Sequence, residues 1–74
     1  MARLVRMDGS GHSMLAEWTE RDDEAFEAAV AEFRRQLDEG YIGTVPDGPR
    51  SATHVRELPR DAELVILRRP IAGG

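Results

Sequence analysis

The apolar residues change period twice along this chain, into and out of one stretch, and the changes locate its elements. In DDEAFEAAVAEFRRQLDEG, which begins at Asp22, the residues Phe26, Ala29, Val30, Phe33 and Leu37 recur every three or four positions. With 3.6 residues per turn, that spacing gathers them into one apolar stripe on a helix. Acids crowd the first turn, where they favour the positive end of the helix dipole. Gly40 stands where a C-terminal glycine cap belongs. The helix is predicted over residues 22–39. Thr19-Glu20-Arg21-Asp22 resembles a capping box with an acid in place of the usual Glu or Gln, and Asp22 and Asp23 are the other candidate caps.

On either side of the helix the pattern reads as strands. Arg3 to Met7 (RLVRM) is short, partly β-branched and bounded by the turn residues Asp8-Gly9-Ser10-Gly11. His12 to Trp18 alternates loosely, with Met14, Ala16 and Trp18 on one face, so the pair reads as a hairpin. Ser10 between the two glycines leaves room for a loop longer than two residues. After the helix, Tyr41 to Val45 is a weak strand interrupted by Gly43. Pro46-Asp47-Gly48-Pro49 reads as a turn in which Pro49 shuts off pairing. Ala52 to Leu58 is the next strand, and Pro59-Arg60-Asp61 a short connection. Glu63 to Arg69 is the last strand, and its four consecutive apolar residues, Leu64 to Leu67, predict burial on both faces and a central position.

The order is β-β-α-β-β-β, an α+β chain with one helix to cover one face of one mixed sheet. A central last strand beside the first makes those two parallel, with the hairpin partners outside and the helix crossing in the right-handed sense. The expected core is Val5, Met14, Trp18, Phe26, Val30, Phe33, Leu37, Ile42, Val55, Leu64 and Ile66, with the face of each strand left open by the pattern.

Composition narrows the chemistry. Seventy-four residues make one domain, which buries only about 60% of the surface its unfolded chain exposes. Absence of cysteine excludes disulfides and thiol nucleophiles. His12 and His54 stand far apart with no carboxylate at helical spacing, which fits surface histidines better than a metal site. No apolar run reaches the 18 or so residues of a membrane helix, and no signal peptide opens the chain, so a soluble cytoplasmic protein is expected. Neither GxxxxGK[ST] nor GxGxxG is present, so the chain holds no phosphate-binding loop of its own, and Asp8-Gly9-Ser10-Gly11 is better read as a hairpin turn.

A net charge of −4 argues against nucleic acid as partner. The charges are also divided. Between Glu17 and Glu39 nine acids face three arginines, hence −6; the remaining five acids and seven arginines give +2. All ten bases are arginine and none is lysine, which fits a GC-rich bacterial genome. The N-terminal amine is therefore the one free amine in the sequence.

The end of the sequence, Leu64-Val65-Ile66-Leu67-Arg68-Arg69-Pro70-Ile71-Ala72-Gly73-Gly74, runs from its most apolar strand into a diglycine. With the element order and the length, it resembles the ubiquitin-like β-grasp family. The Pro-Ile-Ala-Gly-Gly ending is similar to that of the small sulfur carriers, the molybdopterin synthase small subunit and the thiamine sulfur carrier. Arg68-Arg69 is similar to the arginine-bearing tail of ubiquitin, at a longer spacing from the glycines. Outside the tail no family-specific motif stands out, and the Pro46 to Ser51 loop matches none.

The resemblance implies a β-grasp domain over residues 1–69 and a flexible tail over 70–74. It implies a monomeric carrier or modifier that is not itself an enzyme and binds no cofactor. A partner enzyme would use ATP to adenylate the Gly74 carboxylate, with Gly73 thinning the tail for a narrow channel. A sulfur-acceptor enzyme or target proteins would follow. Glycine, lacking a Cβ, suits such threading on physical grounds as well. Arg68, Arg69 and Arg56 are candidate docking charges for an acidic partner, alongside Arg3 or Arg6 on the exposed sheet face. Two arginines at a strand end can equally serve solubility alone. Glu17, Asp22 and Asp23 are acids better explained as caps and surface charges than as acid–base catalysts. The competing class is a β-grasp adaptor that binds partners without using its terminus.

Overall fold

The computed structural model describes residues 1–9 and 11–69. In chain order the elements are β1 (Ala2–Asp8), β2 (Gly11–Trp18), α1 (Asp23–Asp38), β3 (Ile42–Gly48), β4 (Ser51–Val55) and β5 (Leu64–Arg68). The strands form one mixed sheet in the order β2-β1-β5-β3-β4. β5 lies at the centre, parallel to β1 and antiparallel to β3, as its apolar run predicts. The expected burial on both faces does not hold: Val65 and Leu67 are buried under the helix, and Leu64 and Ile66 are only half buried on the open face.

The helix begins and stops where its residues dictate. Asp22 is the N-cap, and its Oδ1 accepts a hydrogen bond from the Ala25 N–H at 3.0 Å. At the other end Gly40 adopts a left-handed φ of 103°. The Gly40 N–H then reaches Leu37 O and the Tyr41 N–H reaches Gln36 O, the paired bonds of a Schellman cap. This cap turns the chain directly into β3.

One side of the sheet packs on the helix. Leu4, Val65 and Leu67 point inward with no exposed surface and meet Trp18, Ala29 and Phe33. Full burial of such side chains contributes about 1.5–3 kcal/mol each. Trp18 meets Phe26 edge-on at 5.7 Å, and its indole N–H donates to Arg60 O at 3.1 Å. Phe26, Val30, Leu37 and Val55 are partly buried against this core, as expected.

The strand faces correct part of the expected core. In β1 and β5 the inward apolar set is Ala2, Leu4, Val65 and Leu67; Val5, Leu64 and Ile66 are only half buried. In β5 the four apolar residues are adjacent. In β1 Leu4-Val5 is flanked by an arginine on each side, Arg3 facing out and Arg6 facing in, so period-2 reasoning has no consistent polar marker of the outer face. Ile42 is paired to Arg68, one step from the inward pair Gly43 and Leu67, and so faces away from the helix. Met14 is 55% exposed. A β-bulge causes this: Leu4 pairs with Ala16 but Val5 pairs with Met14, so β2 changes phase at Leu15. Trp18 and Ala16 stay inside and Met14 turns out.

Three boundaries also differ. The β1–β2 pairing continues to Asp8 opposite Gly11, which leaves a two-residue loop. β3 runs through Pro46 to Gly48 rather than turning at Pro46. Its pairing with β5 ends at Thr44, so Pro46 lies where β3 is open on one side and needs no N–H for that neighbour. β4 stops at Val55, and Leu58 is buried from the connection that follows.

Candidate functional site

The sequence points to the end of the sheet where β5 leaves it, and the topology shows what gathers there. Arg68 closes β5, opposite Met7 on one side and Ile42 on the other. It is exposed, on the sheet face away from the helix. Arg69 follows and turns to the helix side, where its guanidinium carbon lies 5.2 Å from the centre of the Tyr41 ring. Gly73 and Gly74 lie outside the described residues.

Arg56 comes to the same end. Val55 pairs with Gly43, so Arg56 follows on beside Ile42, two strands from Arg68. Unlike Arg68, it lines clefts on the helix side, with Leu37 and Val55 in one and Phe33 and Arg34 in another. Of the two alternatives in β1, Arg3 stands at the far end opposite Leu64 and pairs with Glu17 at 3.9 Å. Arg6 reaches the Arg68 end, but on the helix side. Sheet alternation separates Arg6 from Arg68, and Arg56, just past the end of β4, turns to the helix side, so the arginines are split between two faces.

Around Arg6 a polar chain ties β1 to the helix. Its Nη1 donates to Gln36 Oε1 at 3.4 Å, and Gln36 Nε2 donates to Glu32 Oε2 at 2.9 Å. Glu32 also takes two hydrogen bonds from Arg35 Nη2 at 2.8 Å each and one from Nε. The amide of Gln36, then the Arg35 guanidinium, hold the Glu32 carboxyl below its ordinary value. Gln36 is only 2% exposed, a polar residue beside the apolar stripe that has its partners. Asp8 Oδ2 lies 3.7 Å from Arg6 Nε.

The acids considered for catalysis each have a structural task. Asp22 caps the helix and Asp23 pairs with Arg60, while Glu17 pairs with Arg3. Arg60 also lies over the Phe26 ring at 4.9 Å, which fastens the β4–β5 connection to the start of α1. His12 in β2 and His54 in β4 occupy opposite edges of the sheet. Among the described residues no cluster of His, Asp and Glu could hold a metal ion, and no helix is long and apolar enough to cross a membrane.

The uncovered face of the sheet carries Val5, Met7, Met14, Ile42 and Ile66, with Met7 39% and Met14 55% exposed. Tyr41 and Gln36 were not singled out by the sequence as site residues. Tyr41 carried a signal, as the lone tyrosine directly after the glycine cap; Gln36 carried another, as a polar residue among Phe33 and Leu37. Comparisons with protein-family models, curated proteins and solved structures find no match to the chain.

Proposed function

We propose that this chain is a ubiquitin-like β-grasp carrier or modifier whose Gly74 carboxylate is activated by a partner enzyme. The observation that carries the proposal is the course of β5. This central strand, paired to both β1 and β3, leads within one residue of its end into Arg69-Pro70-Ile71-Ala72-Gly73-Gly74. Anchoring a tail in the middle of a sheet gives it a rigid root, which suits delivery of the end to another protein's site. The five-stranded order with one covering helix is compatible with a β-grasp.

The chemistry balances as follows. A Gly74 carboxylate oxygen attacks the α-phosphorus of ATP in the partner's site, and pyrophosphate leaves. A hydrosulfide ion or a target amine then attacks the acyl carbon of the adenylate, AMP leaves, and the amine gives up a proton. Sulfur transfer produces a thiocarboxylate, and conjugation an amide. Since the sequence has no lysine, conjugation to another copy would be confined to its N-terminal amine.

Intact-mass spectrometry of the protein from its native host tests this. A chain ending at Gly74, with a fraction carrying sulfur for oxygen or found as branched adducts, is the expected result. A native chain that continues past Gly74 with no processing to it would overturn the proposal, as would full function after deletion of Gly73-Gly74.

A second reading, a non-covalent adaptor, is favoured by Met7 and Met14 on the uncovered sheet face. Retained partner binding by the deletion variant, with no modified form of the native chain, would select it.

A further inference from the structure

Two guanidiniums meet one tyrosine ring at the root of the tail. Leu67 faces the helix and Arg68 faces away, so Arg69 returns to the helix side. Arg6 pairs with Leu67 in the parallel ladder and shares that side. The guanidinium carbons of Arg6 and Arg69 lie 5.5 Å and 5.2 Å from the Tyr41 ring centre. The ring attracts each cation, but it cannot neutralise the pair. Asp8 compensates one charge, and Glu32 is engaged by Arg35 and Gln36. One positive charge is left over among Arg6, Arg69 and Asp8.

Arg6 is held in place rather than waving in solvent. Its side chain is 30% exposed, and Gln36 fixes one end of the guanidinium. Its Nε is buried without a hydrogen-bond partner among the described residues, since Asp8 at 3.7 Å is beyond hydrogen-bonding distance. A preset guanidinium fork loses little freedom when it meets a carboxylate, and arginine with an aromatic neighbour is the composition of an interface anchor.

We propose that Arg6, Tyr41 and Arg69 form an anchor for a carboxylate on an acidic protein segment. The single residual charge matches one carboxylate. The site stands one residue before the tail, so a partner held there lies close to where residues 70–74 begin. That this partner is the activating enzyme rests on the carrier reading; the anchor itself does not.

The test is an NMR titration of the full ¹⁵N-labelled chain with a hexaglutamate peptide at low salt. Shifts centred on the Arg6 and Arg69 Nε–H and the Tyr41 N–H are expected. Arg69→Gln should weaken binding roughly twofold to fivefold, the loss of one solvent-exposed ion pair. Arg50→Gln, in the distant β3–β4 turn, should leave it unchanged. The anchor is overturned by shifts centred on Arg3 or Arg68, by equal affinity in Arg69→Gln, or by no binding at millimolar peptide. Inorganic phosphate binding as tightly as the peptide would overturn it too. Gly74 takes no part in the titration, so a failed titration leaves the carrier proposal standing, and an absent thiocarboxylate leaves the anchor standing.

Discussion

At Gly43 the Phe33 ring of the helix presses directly on the backbone of β3, and Gly43→Ala puts a number on that approach. A Cβ built there would lie 2.6 Å from both Cε1 and Cζ of Phe33 and 3.0 Å from the Val55 carbonyl oxygen. Non-bonded carbons settle at about 3.5–4.0 Å, so the ring or the strand must give way by about 1 Å. Phe33 has no exposed surface and cannot swing into solvent. Overpacking of this kind typically costs about 1–3 kcal/mol. Against it, alanine in place of a mid-strand glycine returns about 0.5–1 kcal/mol of backbone entropy. The two ranges leave a net loss of about 0–2.5 kcal/mol, centred a little above about 1 kcal/mol because Phe33 has no room to move. Urea unfolding followed by fluorescence reads it, since Trp18 is the single tryptophan and is buried. With a slope of about 1 kcal/mol per molar for a small domain, the midpoint should fall by about 1 M. Phe33→Leu removes the two clashing ring atoms. The double variant should therefore lose less than the sum of the singles, by about 0.5–3 kcal/mol. A Gly43→Ala protein as stable as the parent, or strictly additive losses, would refute the close approach.

Other outcomes check other parts of the fold. Leu4→Ala should cost about 2–5 kcal/mol in the same assay and Val5→Ala about 1 or less, since only Leu4 faces the helix; equal losses would contradict the strand parity. Asp22→Ala should cost about 1 kcal/mol through loss of the N-cap, with Asp23→Ala smaller; the reverse order would move the cap. Glu32 contributes a pH dependence. Its folded-state value lies below the ordinary 4.5, so the unfolded chain binds more protons in the window between the two. The associated stability is complete above that window and is lost as pH falls through the folded-state value. Asp47 acts in the same sense, because the Ser51 hydroxyl, then that of Thr53, hold its carboxyl below the ordinary 3.8. Glu32→Gln should flatten the slope of stability against pH in that acid range; an unchanged slope would remove Glu32 as a source.

What the sequence determined alone is what neighbours in the chain decide. The helix lies between Asp22 and Gly40 because caps, dipole and stripe act within one or two turns. β5 is central, as its run of four apolar residues indicates, although only Val65 and Leu67 are buried and Leu64 and Ile66 lie half buried on the open face. The hairpin and the parallel β1–β5 pair follow from turn residues and from that central strand. What only the tertiary structure decided are the choices that local pattern leaves equal. Leu4 rather than Val5 and Val65 rather than Ile66 point inward because the helix lies on one side, and the residue pairs are alike in hydrophobicity. Met14 turns out because β2 gains a residue at Leu15 relative to β1, a misfit visible only once the strands are paired. Arg6, Tyr41 and Arg69, far apart in the chain, meet because β5 inserts between β1 and β3. Charge and aromaticity were legible in the sequence, but their distance of approach is a property of the sheet.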